Sequence, residues 1–203
     1  MKQRVGVMGG TFDPIHLGHL AIAEAAFIEF QLEKVIFIPA CEPVHKPKWA
    51  ITEAKHRFAM TLLATAANPH FHVSSIEIDR SGPSYTSETL AELKSQFGED
   101  TEIFFILGAD AIADLPTWHD ARECFKLCQF IGAIRPGVDN GALEKARDYF
   151  GEIAEGKIHQ LATFELAISA TAIRRRVQQK QSIRYIVPEE VAAYIIKEKL
   201  YQD

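Results

Sequence analysis

Four short stretches of this sequence are almost wholly apolar, and each stops at glycine or proline. They are residues 4–8 (RVGVM) before Gly9-Gly10, 35–38 (VIFI) before Pro39, 103–107 (IFFIL) before Gly108, and 130–134 (FIGAI) before Arg135-Pro136-Gly137. A strand wetted on one face alternates apolar with polar residues. Runs without alternation belong to strands covered on both faces, as in parallel sheets. Residues 16–30 carry apolar side chains at Leu17, Leu20, Ile22, Ala23, Ala26 and Phe27, which is helical spacing. Further helices are expected over about 52–67, with Thr52 as cap, and over about 87–97, 143–150 and 169–179. The last helix starts at Pro188, because proline suits the first helical position and Glu189-Glu190 suit the positive end of a helix. Residues 71–78 and 157–161 read as two more strands. Apolar strands alternating with helices are βαβ units. The expected fold is therefore α/β, a Rossmann-like doubly wound parallel sheet. No repeat, low-complexity tract or linker divides the chain, so one domain is expected over 1–203, with a helical C-terminal part from about residue 165.

Composition narrows the function classes. The 203 residues carry 22 Lys+Arg and 27 Asp+Glu, a formal net charge of −5. That balance argues against wrapping nucleic acid, which needs a basic excess. No apolar run approaches the roughly 20 residues that span a bilayer, and the N-terminus lacks the long apolar stretch of a signal peptide. The cysteines, Cys41, Cys124 and Cys128, are odd in number and scattered, so a disulfide framework is not expected. The expectation is a reduced, cytoplasmic protein with neither membrane nor nucleic-acid partner. A homo-oligomer is left open.

In open α/β sheets the ligand lies at the carboxyl ends of the strands. The chemistry-bearing residues of this chain fall there. Residues 6–10 (GVMGG) form neither a dinucleotide fingerprint nor a Walker loop with its lysine. Instead, residues 9–19 read G-G-T-F-D-P-I-H-L-G-H. Two glycines let the backbone approach a ligand, Thr11 offers a hydroxyl, and His16 and His19 share the first turn of a helix. A helix N-terminus attracts anions through its free N–H groups and its dipole. Two imidazoles there make a phosphate cradle that requires no lysine, and Gly18 lets something approach between them. The ordinary alternatives are a core histidine, a helix cap or half of a zinc site. Zinc would need more convergent ligands than the spacing provides.

This stretch resembles the H-x-G-H signature of the nucleotidyltransferase superfamily, in the form seen in bacterial nicotinate-mononucleotide adenylyltransferases. The second landmark of that superfamily, I-S-x-T-x-x-R, is matched by residues 168–174, I-S-A-T-A-I-R. Residues 39–46 (PACEPVHK), 83–86 (PSYT) and 108–118 (GADAIADLPTW) are similar to three further family stretches, in the same order. Val44 stands where a second proline is usual and Ala170 where a serine is usual.

The resemblance implies a sheet of the nucleotidyltransferase type. It also implies transfer of the adenylyl group of ATP to nicotinate mononucleotide, giving nicotinate adenine dinucleotide and pyrophosphate in NAD biosynthesis, with Mg²⁺ accompanying ATP. His19, His16, Lys46 and Arg174 would carry the catalysis. ATP would be held by Gly9, Gly10, Thr11 and Phe12 with the two histidines, by Gly108 and Asp110, and by Ile168, Ser169, Thr171 and Arg174. Asp110 would serve a ribose hydroxyl or lie near the metal, or else be an ordinary helix cap. The acceptor would be held by His45, Lys46, Tyr85, Thr86, Trp118 and Arg135, with Trp118 stacking on the pyridine ring or packing at the rim of the core. No protein side chain is assigned to the metal. Arg175 and Arg176 read as a solvated basic face; His56, His70, His72, His119 and His159 read as structural or surface residues. The rivals are the same transfer to nicotinamide mononucleotide or phosphopantetheine, a non-catalytic nucleotide-binding module, and a zinc-binding structural module.

Overall fold

The computed structural model describes residues 2–43, 51–80, 82–134, 141–162 and 166–202. Among the described residues, six parallel strands make one sheet in the order β3-β2-β1-β4-β5-β6. They are β1 (Arg4–Gly10), β2 (Lys34–Pro39), β3 (Phe71–Val73), β4 (Glu102–Gly108), β5 (Gln129–Ile134) and β6 (Ile158–Ala162). The helices are α1 (Leu17–Glu29), α2 (Ala54–Thr65), α3 (Ile76–Asp79), α4 (Thr86–Phe97), α5 (Ala109–Ala113), α6 (Ala121–Leu127), α7 (Gly141–Phe150), α8 (Ala170–Gln178) and α9 (Glu189–Lys197).

The sheet buries both faces because alternate side chains of each strand serve different cores. Val5 and Val7, Ile36 and Ile38, Ile103, Phe105 and Leu107, and Phe130 and Ile134 pack with α4–α7. Val35 and Phe37, Phe104 and Ile106, and Ile131 pack on the other side with α1, α2, α8 and α9. Each large side chain buried this way contributes about 1.5–3 kcal/mol. The chain leaves β1 towards β2 on one side and reaches β5 through β4 on the other. The switch point therefore lies between the carboxyl ends of β1 and β4, where such sheets bind ligands.

Two expectations need correction. The strand expected over 71–78 ends at Val73, and residues 76–79 make a helical turn. The cause is local: Ser74 Oγ accepts the Ile76 N–H at 3.3 Å, and the Asp79 N–H bonds the Ser75 carbonyl at 2.8 Å. Serine side chains offer the backbone this alternative to a ladder. Thr52 does not cap α2; Glu53 holds that position, and Thr52 bonds elsewhere through its backbone. The short helices α5 and α6 lay in stretches given no element from the sequence, although Ala121, Cys124 and Phe125 of α6 follow helical spacing and are buried. All three cysteines are free; burial pushes the Cys124 thiol up to about 12 and Cys128 well above its usual value, so neither is a ready nucleophile. Among the described residues, no helix is long and apolar enough to cross a membrane.

Candidate active site

The loop from β1 to α1 is the centre of the site. A Cβ on Gly9 would lie 2.9 Å from the Phe105 ring, so only glycine lets β1 end this close to β4. Phe12 follows at φ 48°, in the left-handed region where a side chain costs about 1–3 kcal/mol. Its ring is buried, edge-on to His19 with centroids 5.1 Å apart. Phe12 thus supports His19 from below and offers a ligand only its backbone.

His16 caps α1 and stacks on His19, ring centroids 3.8 Å apart. The backbone N–H of His16 donates to Nδ1 of His19 at 3.2 Å. That nitrogen must therefore be the acceptor, so in the neutral ring the proton sits on Nε2. His16 is only 7% exposed, and burial lowers its pKa to about 4; it is a neutral imidazole at physiological pH. Among the described residues, its buried Nδ1 has no hydrogen-bond partner. A Cβ on Gly18 would meet the His16 ring at 3.1 Å. What Gly18 admits is therefore the neighbouring imidazole itself.

The second motif comes to the same place. Arg174, in α8, donates to the Asp13 carbonyl at 2.7 Å and to Thr171 Oγ1 at 3.3 Å, across 161 residues of sequence in the first case. Ser169 caps α8, its Oγ accepting the Ala172 N–H at 3.2 Å, and Ile168 packs against the core beside Gly18. Two helix N-termini thus meet beside His16, His19 and Arg174. Arg176 is engaged elsewhere: its Nε donates to the Ser182 carbonyl at 2.8 Å.

On the other side of Gly9–Thr11 lies a cavity of about 520 Å³. Gly9, Gly10 and Thr11 form one wall, and Ala40 and Pro43 after β2 another. Tyr85 and Thr86 close it at the start of α4, Phe105 and Leu107 at the end of β4, and Trp118 at the far side. Trp118 meets Phe105 and Phe130 edge to face at 6.1 and 6.5 Å, so it is both rim packing and cavity wall. Tyr85 is the N-cap of α4, and the first-turn amides of that helix begin at the cavity. Gly108 and Asp110 stand nearby at the start of α5, both exposed. Gly108 holds the cap position and Asp110 lies inside the first turn, which removes the reading of Asp110 as a helix cap. His45, Lys46 and Arg135 lie outside the described residues.

Several residues here were not singled out in the sequence. His119 is at the surface, as read from the sequence, and also lines the cavity, its ring 4.3 Å from that of Tyr85. The other four histidines stay structural or at the surface: His56 bonds the Tyr194 hydroxyl, His159 bonds Gln129, His70 stacks on Phe27, and His72 is exposed. Glu77 is a buried carboxyl in the cavity wall; burial raises its pKa, opposed by hydrogen bonds from Thr89 and Ser84 and by the nearby charges of Arg80 and Arg57. Asp13 is buried, and its two oxygens accept from the Tyr201 hydroxyl at 2.7 Å and the Thr52 N–H at 3.2 Å. Arg57 is buried on the apolar face of α2 with Met60 and Thr61. A charge at that helical phase was the signal for it; nothing local signals Tyr201 or Glu77.

Among the described residues no three His, Cys, Asp or Glu side chains converge as a metal cage. The donor set is instead one of N–H groups, suited to anions.

Comparison with known proteins shows the family. Residues 7–176 match the family model described as cytidylyltransferase-like. The chain is 48% identical over 199 residues to a protein of Thermoanaerobacter sp. (strain X514) named probable nicotinate-nucleotide adenylyltransferase, with 98% of this chain and 94% of that one covered. It is 49% identical to a protein of the same name from Moorella thermoacetica, covering 98% and 92%. In structure it is similar to the Plasmodium falciparum nicotinic acid mononucleotide adenylyltransferase complexed with NaAD, with a TM-score of 0.78 at 20% identity over 98% of this chain and 97% of that one. That last likeness concerns the fold.

Proposed function

We propose, from the premise that this chain belongs to the cytidylyltransferase-like family and to its nicotinate-nucleotide adenylyltransferase branch, that it joins ATP and nicotinate mononucleotide into nicotinate adenine dinucleotide with release of pyrophosphate. The observation that carries the assignment of roles is the bond from Arg174 to the Asp13 carbonyl, which brings the two helix N-termini of the two motifs together at the β1/β4 switch point.

An oxygen of the mononucleotide's phosphate attacks the α-phosphorus of ATP. The new P–O bond forms as the bond to the α,β-bridging oxygen breaks, and the electron pair leaves with pyrophosphate. Such a transfer needs positioning and charge stabilisation more than a protein nucleophile. His19 supplies an Nε2–H for a non-bridging α-oxygen, its other nitrogen already fixed by the His16 N–H. His16, kept neutral by burial, adds a donor without the cost of a buried charge. Backbone amides at the start of α8, the Ser169 and Thr171 hydroxyls and the free part of the Arg174 fork receive the β- and γ-phosphates. The backbone of residues 9–12 lies against the nucleotide, and Gly108 and Asp110 serve the ribose. By the family resemblance, Lys46 and His45 would serve the phosphates and Arg135 the acceptor side.

The nicotinate ring enters the cavity against Trp118, and its carboxylate meets the amides at Tyr85-Thr86, at the positive end of α4. A divalent ion fits this site as a passenger of the triphosphate. Mg²⁺ keeps several waters and needs few protein ligands, and Asp110 is the exposed carboxylate closest in the chain to the β4 end. When bound, the ion neutralises phosphate charge.

The test is product analysis. The chain with ATP and nicotinate mononucleotide should release pyrophosphate and nicotinate adenine dinucleotide in equal amounts, and phosphopantetheine should not substitute. Absence of the dinucleotide would overturn the reading.

A further inference from the structure

We propose that Arg57 is the positioning residue that sets the two substrate loops against each other, its single guanidinium donating to the carbonyls of Thr11 in the phosphate loop, Cys41 in the loop after β2, and Thr52 where that loop returns to α2. This inference rests on the adenylyltransferase reading for what the loops hold, and on the geometry for their coupling.

The three bonds run from Nη1 to Thr11 at 2.8 Å, from Nη2 to Cys41 at 3.1 Å and from Nε to Thr52 at 2.7 Å. Arg57 is 1% exposed, one of the largest fully buried side chains in the molecule. Burial works against its charge, which the nearby Asp13 and Glu77 carboxylates favour. A cation in an apolar core is expensive, and a well-packed apolar side chain at such a place often stabilises a protein better. Fold stability alone is therefore a weak reason for an arginine here.

The use it does have is visible in the loops. Ala40 N–H bonds the Gly10 carbonyl at 2.9 Å, the Cys41 and Glu42 N–H groups reach Ser84 Oγ at 3.0 and 3.3 Å, and Ser84 N–H bonds the Glu42 carbonyl at 3.1 Å. The Cys41 carbonyl turns to Arg57. The same guanidinium then fixes Thr11, two residues before Asp13 and on the acceptor cavity's wall. Thr52, its third partner, gives its N–H to the Asp13 carboxylate. A planar fork can address three carbonyls in fixed directions, whereas an ammonium is a single point of charge. A shift at Arg57 thus moves the cavity wall and the phosphate loop together.

The experiment uses Arg57→Lys and Arg57→Ala in the full chain, with KM and kcat for each substrate, separate calorimetric titrations with ATP and with nicotinate mononucleotide, and thermal melting. Arg57→Lys, which keeps the charge, should remain folded yet bind both substrates more weakly. Arg57→Ala should weaken both by about tenfold or more, the size expected for lost charge-assisted bonds. Added guanidinium should restore part of that loss. A lower melting temperature with both affinities unchanged would make Arg57 merely structural and overturn the proposal. Weakening of one substrate alone would overturn the coupling. If neither variant folds even with guanidinium present, Arg57 is a folding residue and the proposal falls. The titrations read the coupling even if the wild-type chain makes no dinucleotide, so the two failures are distinguishable.

Discussion

In the proposed reading, the two halves of the site, on either side of Gly9–Thr11, meet different physical demands. The phosphate half is made of donors: two helix N-termini, two stacked imidazoles and one guanidinium. The acceptor half is a cavity whose flat walls are Phe105, Leu107, Trp118 and Tyr85, with Thr11, Glu77, Ser84, Thr86, Asp114, Thr117 and His119 as its polar lining. Charge can be met by local backbone geometry, because a helix start brings its own dipole and its own N–H groups. A flat ring must be met by shape, and shape needs surfaces from several elements. The phosphate half can therefore sit in two contiguous motifs, while the acceptor half is assembled from β1, the loop after β2, α3, α4, β4 and the α5–α6 connection.

The comparison breaks most sharply at His19. His19→Ala should lower kcat by roughly 10²–10³, the scale for losing one preorganised donor at a transition state, with acceptor binding by calorimetry nearly unchanged. A folded variant with near-normal kcat would remove His19 from the phosphate half.

His16 sharpens the same half through stability. Its folded pKa of about 4 lies below the unfolded value of 6.5. Above pH 6.5 both states are neutral and the native state has its full stability. As pH falls from there towards 4, only the unfolded state takes up the proton, and stability is lost. The whole loss is roughly 3 kcal/mol. Denaturant unfolding of the wild type and His16→Gln between pH 7 and 4 should show a flatter profile for the variant; identical profiles would place the titration elsewhere.

A smaller effect separates the two arginines of α8. Arg174→Ala should raise the KM for ATP about tenfold, as expected for one charge-assisted contact, and leave that for the acceptor nearly unchanged. Arg176→Ala, whose partner is the Ser182 carbonyl, should change either little. Equal behaviour of the two would defeat the assignment of Arg174.

The same contrast explains what was legible in the sequence. The parallel sheet could be read because VIFI and IFFIL are buried on both faces. The end of β3 was misread because Ser74 Oγ redirects the backbone through a bond that periodicity does not see. The placement of His16, His19, Ser169 and Arg174 at two helix starts was legible because helix starts are local. Glu77, His119 and Tyr201 were not, since only tertiary packing brings them to the site; Tyr201 reaches Asp13 across 188 residues. Arg57 was not singled out: its helical phase with Met60 and Thr61 is a signal of burial, but not of what it holds.

The most direct measurement is the ratio of kcat/KM for nicotinate mononucleotide to that for nicotinamide mononucleotide. In the proposed pose the carboxylate would accept from the amides at the start of α4, whereas the amide's NH₂ would meet those same donors with its own donors. A buried mismatch of that kind costs about 1–3 kcal/mol. The account therefore predicts a preference of about tenfold to a hundredfold for the acid, at 1.4 kcal/mol per decade. Trp118→Ala should weaken both acceptors and leave the ratio standing, because stacking does not sense the carboxylate. Equal kcat/KM for the acid and the amide would contradict the account of the acceptor half.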